Sequence, residues 1–273
     1  MEAIALTLAL VLYLVATVAG GLSLALEKTS TRVVTPVVLV AAFLLHAAAI
    51  GLRSVAVGNI AVTSFAEQVS FFAWLLVGIY LLAQTRYRLA VLEAVISPIA
   101  FIGALGSLVD HGAVRDLPPG LKSPWLPVHV TFVFLGNAVF GLAFFVSLIY
   151  LLQERQLKSR RIGSFARRLP SLETLDKINF RFLTWGFVSL TLGMLSGVLW
   201  AELSWGRLWS WDPLTFWTTV IWILYAILLH GRVTVGWGGR RAATLTIVGF
   251  GVLFVSFIGV NMLSPGRHAG SFG

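Results

Sequence analysis

The chain has 273 residues, of which 58% are hydrophobic and 11% are charged. Soluble globular proteins are about 45–50% apolar and about 25% charged, so this composition excludes a soluble enzyme and also a disordered chain. The formal net charge of +9 indicates membrane topology and anionic lipid rather than nucleic acid. The chain has no cysteine, which excludes disulfides and thiolate metal ligands within it.

Long apolar runs separated by charged or turn-rich gaps predict the fold. Because roughly 20 apolar residues span a bilayer, the sequence predicts an all-α polytopic membrane protein with about eight transmembrane helices in a single membrane domain, 1–273. The predicted spans are 3–26, 33–52, 65–85, 89–109, 127–152, 181–201, 213–231 and 241–262. Gly193 and Gly197 in the sixth span have the spacing of close helix packing.

The distribution of basic residues predicts the orientation. Of the 20 Lys and Arg residues, 15 lie in the gaps after the first, third, fifth and seventh spans or at the first residue of the span that follows such a gap. Since cytoplasmic loops carry the excess of basic residues, both termini are predicted outside and 153–180 is predicted as the main cytoplasmic loop. The basic run of that loop favours topology and contact with anionic lipid over docking of a protein.

A tryptophan-rich segment, 200–213, lies on the predicted outer face. Six of the ten tryptophans fall within 23 residues: Trp200, Trp205, Trp209, Trp211, Trp217 and Trp222. An interfacial aromatic belt explains one or two of them per helix end. The alternative is a flat apolar platform that stacks on a planar ligand such as a porphyrin. Arg207 then pairs with a propionate or simply snorkels, and Asp212 before Pro213 fits a helix N-cap.

Histidine positions favour a metal-containing ligand at the same face. His129 begins the fifth span and His268 follows the eighth, so both flank the tryptophan-rich segment on the predicted topology. Each alone is typical of a hydrogen-bonded interfacial histidine, whereas the pair suits bis-imidazole ligation of iron. His230 and His46 are ionisable groups at or within the membrane, which suggests a function for them. Zinc is disfavoured because no HExxH or similar spacing occurs.

Carboxylates are scattered, and two of them lie near outer helix ends. Glu67 and Glu202 are predicted to be solvated at the interface, with orientation of a ligand as the alternative. The spacing of the acidic residues nominates no pair for acid–base catalysis.

The segment Trp205-Gly-Arg-Leu-Trp-Ser-Trp-Asp-Pro213, followed by Trp217, Trp222 and His230, resembles the signature of the cytochrome c assembly family. That family includes the CcsA/ResC and CcmC haem-handling proteins, and the eight-span layout resembles the CcsA/ResC or HemX-like branch. His129 in Pro127-Val-His-Val and His268 at the end of 261–268 resemble the family's two outer haem-ligand histidines. His230 falls where the family has a membrane histidine at the cytoplasmic end. The resemblance covers about 125–268.

The resemblance implies haem binding, translocation and presentation for cytochrome c maturation on the outer face of the bacterial cytoplasmic (inner) membrane. It implies haem b as the cofactor, a CcsB/ResB-type membrane protein and apocytochrome c as partners, and a component of a haem lyase complex. His129, His268 and His230 are then axial ligands of the haem iron. The remaining predicted haem contacts are His46, Trp200, Trp205, Arg207, Trp209, Trp211 and Asp212. No residue is predicted to be catalytic, because the chain would only hold and orient haem.

Two positions depart from the family pattern and keep an alternative open. The CcsA-type motif continues Asp-Pro-Lys-Glu, whereas Leu214 and Thr215 follow Pro213 here. This departure favours, as the alternative, a non-catalytic HemX-like membrane regulator of haem biosynthesis. A transporter without haem is disfavoured, because the chain has neither an evident inverted repeat nor matching broken helices.

Overall fold

The computed structural model describes residues 1–26, 31–87, 89–109, 122–159, 169–206 and 213–263, and over these residues its regular structure is helical. The helices are α1 Glu2–Leu26, α2 Thr31–Val57, α3 Phe65–Tyr87, α4 Ala90–Val109, α5 Trp125–Lys158, α6 Leu172–Trp205, α7 Pro213–Thr234 and α8 Gly239–Leu263. All eight are long and apolar enough to cross a membrane. The predicted all-α, multi-pass membrane fold is confirmed; the placement of the termini stays a prediction.

Helices α5 and α6 are longer than the predicted spans. Of the predicted loop 153–180, both flanks are helical, and 160–168 lie outside the described residues. Lys158 pairs with Glu154 one turn earlier at 2.7 Å, which supports the last turn of α5. The Ser171 side chain accepts a hydrogen bond from the Thr174 N–H at 3.2 Å and so caps α6. Charged residues therefore continue these helices beyond their apolar parts.

The chain divides into two compact units, a first unit of Met1–Pro127 and a second unit of Val128–Gly273. In the first unit, α1 packs on α2 and α4, and α3 packs on α4. In the second unit, α7 packs on α8 and both contact α6. The sequence predicts a single membrane domain, 1–273, in which these two units assemble. That single domain stays a prediction.

An aromatic stack fills the centre of the second unit. The rings of Phe140 on α5 and Tyr225 on α7 lie parallel within 3°, with centroids 3.6 Å apart. Glycines flank the stack: a Cβ at Gly186 on α6 would come within 2.6 Å of Phe140, and one at Gly249 on α8 within 3.3 Å of Tyr225. Helices α5, α6, α7 and α8 therefore approach closely around these two rings.

The second unit has two ends, which are named here by their histidines. The His129 end contains the start of α5, the end of α6 and the start of α7; the His230 end contains the start of α6, the end of α7 and the start of α8. Helix α7 has 22 residues and is therefore about 33 Å long. Because the hydrocarbon core of a bilayer is about 30 Å thick, the two ends face opposite surfaces of the membrane.

Candidate functional site

His129 lies in the second turn of α5 and is half-buried against α6. Its Nδ1 is 2.8 Å from the backbone carbonyl oxygen of Gly193. A carbonyl oxygen can only accept, so Nδ1 carries the proton and donates this hydrogen bond. In the neutral ring the basic lone pair is then on Nε2, which is the arrangement that a metal-ligating histidine uses.

Two glycines of α6 allow this close approach. A Cβ at Gly197 would lie 2.6 Å from both Cε1 and Nδ1 of His129. A Cβ at Gly193 would lie 2.9 Å from the backbone nitrogen of Val133 on α5. The predicted close packing at these two glycines is therefore present, and the histidine ring itself fills part of the space they leave.

Tryptophans cover another side of the His129 ring. Trp200 stacks on His129 with ring centroids 5.6 Å apart and an angle of 26° between the planes. Trp200 is only 2% exposed, so it supports the histidine more than it offers an open face to a ligand. Trp205 is half-buried, and its ring centroid lies 4.8 Å from that of Trp200.

Gly206 ends α6 directly after these tryptophans. Its φ of 63° is left-handed, and its N–H donates to the Glu202 carbonyl oxygen at 2.8 Å. Glycine adopts this conformation without steric cost, which is why helices so often end at one. Glu202 itself is exposed, in agreement with its prediction as a solvated interfacial carboxylate.

The structure brings together three of the predicted site residues, His129, Trp200 and Trp205. Five others lie outside the described residues: Arg207, Trp209, Trp211, Asp212 and His268. Their predicted roles therefore stay predictions.

His230 lies at the opposite end of the second unit and is exposed. It shares an exposed apolar face of α7 with Phe216 (46% exposed), Ile223 (45%) and Ile227 (54%). Within the part of the chain that the structure describes, no hydrogen bond of the His230 ring occurs. The imidazole is thus presented on the surface of the helix.

A polar corner fixes the helix ends around His230. Both terminal nitrogens of Arg232 donate to the Asp176 carboxylate, at 2.8 and 3.0 Å, and the Gly239 N–H donates to it at 2.9 Å. Asp176 therefore ties together α6, α7 and the start of α8. The Arg241 guanidinium lies 3.8 Å from the ring centroid of Trp237 in the α7–α8 connection, a cation–π contact. Sequence reasoning missed this corner.

His46 lies in the interior of the first unit with no exposed surface. Its Nε2 is 2.8 Å from the Ser70 hydroxyl, and its Nδ1 is 3.3 Å from the Tyr13 hydroxyl. Both ring nitrogens are therefore within hydrogen-bond distance of side chains, and neither is presented to an iron atom in this arrangement. The predicted haem contact of His46 stays a prediction that this geometry does not support.

Glu67 is buried, contrary to its prediction as a solvated carboxylate. It accepts from Arg53 at 2.8 Å and from both the N–H and the hydroxyl of Thr63 at 2.7 Å. With Ser64 it also forms a reciprocal capping box at the start of α3, with bonds of 3.2 and 3.3 Å. These partners satisfy the carboxylate, which is why it is 5% exposed despite its charge. Arg53 and Glu67 also line a small cleft together with His46 and Ser70.

A profile of the family described as Cytochrome C assembly protein matches residues 62–268. The match extends over more than half of the chain and includes His129, the tryptophan-rich segment, His230 and His268. The chain belongs to this family. At the His129 end of the family region, His129, two tryptophans and two closely packed glycines converge.

Curated relatives match this chain over most of its length. The chain is 30% identical over 269 residues to a protein named cytochrome c biogenesis protein CcsA from Prochlorococcus marinus, covering 89% of this chain and 85% of the relative. A CcsA protein from Synechococcus sp. (strain CC9902) is 35% identical over 239 residues, covering 78% of each. One from Porphyra purpurea is 31% identical over 251 residues, covering 78% of this chain and 79% of that protein.

A solved structure shares the fold. Cytochrome c Heme Lyase CcmF superposes with a TM-score of 0.65 at 16% identity, covering 100% of this chain and 49% of that one. The chain thus spans about half the length of that protein, and the likeness shows the fold alone. Membership of the cytochrome c assembly family implies haem handling in cytochrome c biogenesis, together with other assembly components.

Proposed function

We propose that this membrane protein binds haem b, moves it toward the outer face and presents it there for attachment to apocytochrome c. His129 and His268 are the proposed axial ligands at the His129 end, and His230 is the proposed ligand at the other end. The observation that carries the proposal is the His129 ring itself. Its Nδ1–H is bound to the Gly193 carbonyl at 2.8 Å, which leaves the lone pair of Nε2 as the donor to iron.

The donor set at the His129 end fits a haem. An imidazole nitrogen suits iron, and indole rings suit the apolar face of a porphyrin. Arg207 is the proposed partner of a propionate, and Trp205, Trp209 and Trp211 are the proposed walls, with Asp212 capping α7 beside them. When bound, haem supplies the iron and the vinyl groups that react with the apocytochrome thiols. The chain contributes binding, orientation and exclusion of water, because it has no thiol of its own.

Charge supports the orientation of the second unit. Exposed basic side chains lie at the His230 end, including Lys158 (66%), Lys177 (69%) and Arg240 (69%). By the positive-inside rule this end faces the cytoplasm, and contact with anionic lipid follows from the same charges. The His129 end then faces outward, and the distribution of basic residues along the sequence supports the proposal that both termini do so too. The membrane is proposed to be the bacterial cytoplasmic (inner) membrane.

The exposed face of α7 supports a membrane partner. One imidazole fills one of the two axial positions of a haem iron, so a haem held by His230 needs a second ligand from elsewhere. His230 is exposed, and the neighbouring side chains of its face are apolar. We assign this face to a CcsB/ResB-type protein, whose helix would complete both the ligand set and the synthase.

The packed centre of the second unit bears on the path between the two ends. The Phe140–Tyr225 stack and the glycines against it fill the bundle at that level. About 26 Å of α7 separates Pro213 from His230. A porphyrin does not fit through such a core without separating the helices, so we place the path along the exposed face of α7.

The test is the absorption spectrum of the protein purified in mild detergent from haem-replete cells. The proposal expects a stoichiometric Soret band and sharp reduced bands of six-coordinate b-type haem, which the double variant His129→Ala, His268→Ala abolishes. His111, which is part of no predicted site, provides the matched control, and His111→Ala keeps the bands. A double variant with an unchanged spectrum contradicts the ligand assignment. A protein that is colourless even after added haem supports the HemX-like regulator instead.

A further inference from the structure

We infer that Gly193 and Gly197 are positioning residues that hold His129 as the Nδ1–H tautomer and so direct Nε2 to the haem iron. The inference rests on the proposed function and adds the residues that act through the ligand. It concerns the contact between α5 and α6, whose atoms all lie within the second unit.

One edge of the His129 ring faces α6. The position of a Cβ at Gly197 is 2.6 Å from Cε1 and from Nδ1 of His129 but 3.5 Å from Cγ. The Cε1–Nδ1 edge therefore rests on the backbone of Gly197. Nε2 is not among the three nearest atoms and therefore lies no closer than 3.5 Å to that position. Any side chain at 197 would occupy the space of the ring and change its direction.

The backbone carbonyl of Gly193 accepts the hydrogen bond that fixes the His129 tautomer. The carbonyl oxygen accepts from Nδ1 of His129 at 2.8 Å and also from the Ser196 hydroxyl at 2.9 Å. The missing side chain at Gly193 lets the α5 backbone approach, since a Cβ there would lie 2.9 Å from the nitrogen of Val133. A larger residue would separate the helices and lengthen the bond to His129.

Trp200 covers one face of the His129 ring. The buried indole stacks on the His129 ring, whose centroid lies 5.6 Å away. The imidazole is thus held by a carbonyl at Nδ1, by a glycine backbone at its edge and by an aromatic ring at its face. A ring fixed in this way needs no reorientation when it binds iron, which favours affinity.

The expected size of the effect follows from other metal sites. Hydrogen-bond partners of ligating histidines typically change metal affinity by about 10–100-fold when they are removed, because they set the tautomer and the basicity of the ligand. Gly197→Ala should therefore weaken haem binding by about 10–100-fold and alter the reduced spectrum through its effect on the His129 ring.

The direct test uses the wild-type protein without haem. Ring nitrogens of histidine are labelled with the heavy nitrogen isotope, and their NMR shifts in detergent report which nitrogen carries the proton. The His129→Ala variant identifies the signal. The inference expects a hydrogen-bonded Nδ1–H and an unprotonated Nε2 for His129. An Nε2–H tautomer overturns the inference without any glycine variant, so a failure of Gly197→Ala to fold does not decide the matter.

Glycine variants then test the cause. Gly197→Ala should lose the hydrogen-bonded Nδ1–H signal and weaken haem binding, whereas Gly251→Ala should change neither, because a Cβ at Gly251 meets nothing within 4 Å. Identical behaviour of the two variants in both measurements overturns the inference. Retention of haem by His129→Ala overturns the proposed ligand, and with it the role of the glycines toward iron. The NMR measurement still reports the tautomer in that case, so the two failures are distinguishable.

Discussion

His46 and His129 both lie in helices that are apolar enough to cross a membrane, but their surroundings in the structure differ. His46, in the first unit, has no exposed surface, and side-chain hydroxyls lie within hydrogen-bond distance of both its ring nitrogens. His129, in the second unit, is half-buried, and a backbone carbonyl accepts from its Nδ1. The first arrangement satisfies the ring within the protein. The second fixes the ring and leaves its basicity on one nitrogen.

The difference teaches that partners, and not burial alone, separate a structural histidine from a candidate ligand. A hydroxyl can donate or accept, so Tyr13 and Ser70 can satisfy His46 in either tautomer. The Gly193 carbonyl can only accept, so it selects one tautomer of His129. A ligand needs that selection because iron binds the unprotonated nitrogen.

The largest expected effect is the difference in haem affinity between the alanine variants of the two histidines. His129→Ala removes a proposed ligand and should weaken haem binding at the His129 end by at least about 100-fold. His46→Ala should leave that affinity within a factor of two or so of wild type, because its ring contacts only protein. Haem titration of the two purified apo-variants measures both. Equal losses would remove the distinction between them.

A second prediction concerns the corner at the His230 end. Asp176→Ala leaves Arg232, whose side chain is 7% exposed, without its carboxylate and should destabilise the second unit by about 2–3 kcal/mol. The double variant Asp176→Ala, Arg232→Ala should recover part of this loss, since no buried charge is then unpaired. Thermal unfolding in detergent measures the change. A double variant less stable than the single one would contradict the account.

A third prediction tests whether His46 is structural. His46→Ala leaves the Tyr13 and Ser70 hydroxyls without the ring and creates a cavity, which should cost about 2 kcal/mol. The triple variant His46→Leu, Tyr13→Phe, Ser70→Ala replaces all the polar partners with apolar groups and should be more stable than His46→Ala. The unfolding temperatures of the two variants decide this order, and the reverse order would indicate a role for the polar group beyond packing.

The smallest effect is expected at an exposed ion pair. Lys177 and Glu173 are 69% and 77% exposed on α6, so their contact is weakened by solvent. Lys177→Ala should change neither the unfolding temperature nor haem affinity measurably, and it serves as the surface control for Asp176→Ala. A marked loss of stability would show that charge at this helix start matters more than the corner at Asp176.

The eight helices could be predicted because each contains an apolar run of membrane length, which hydropathy alone reveals. The ends of α5 and α6 could not, because charged residues continue a helix outside the membrane as readily as they form a loop. Ser64 and Glu67 have the Ser-x-x-Glu spacing of a capping box, but Glu67 was predicted as a solvated carboxylate instead. Its third partner, Arg53, depends on how α2 packs against α3.

In the candidate site, too, some features could be predicted from the sequence and others could not. His129 and the tryptophans were found from residue type and from the family resemblance, and Gly193 and Gly197 from their spacing. The contact between His129 and these glycines depends on the register of α5 against α6, which local sequence does not encode. The hydroxyl partners of His46 and the carbonyl partner of His129 likewise come from other helices, so local sequence does not reveal them.

The most direct test of the central claim is the reduced and oxidised spectrum of the wild-type protein beside those of His129→Ala and His46→Ala, each purified from haem-replete cells. The account predicts the bands of six-coordinate b-type haem in the wild type and in His46→Ala, and their loss or conversion to another coordination state in His129→Ala. An unchanged spectrum in His129→Ala, or its loss in His46→Ala, would contradict it.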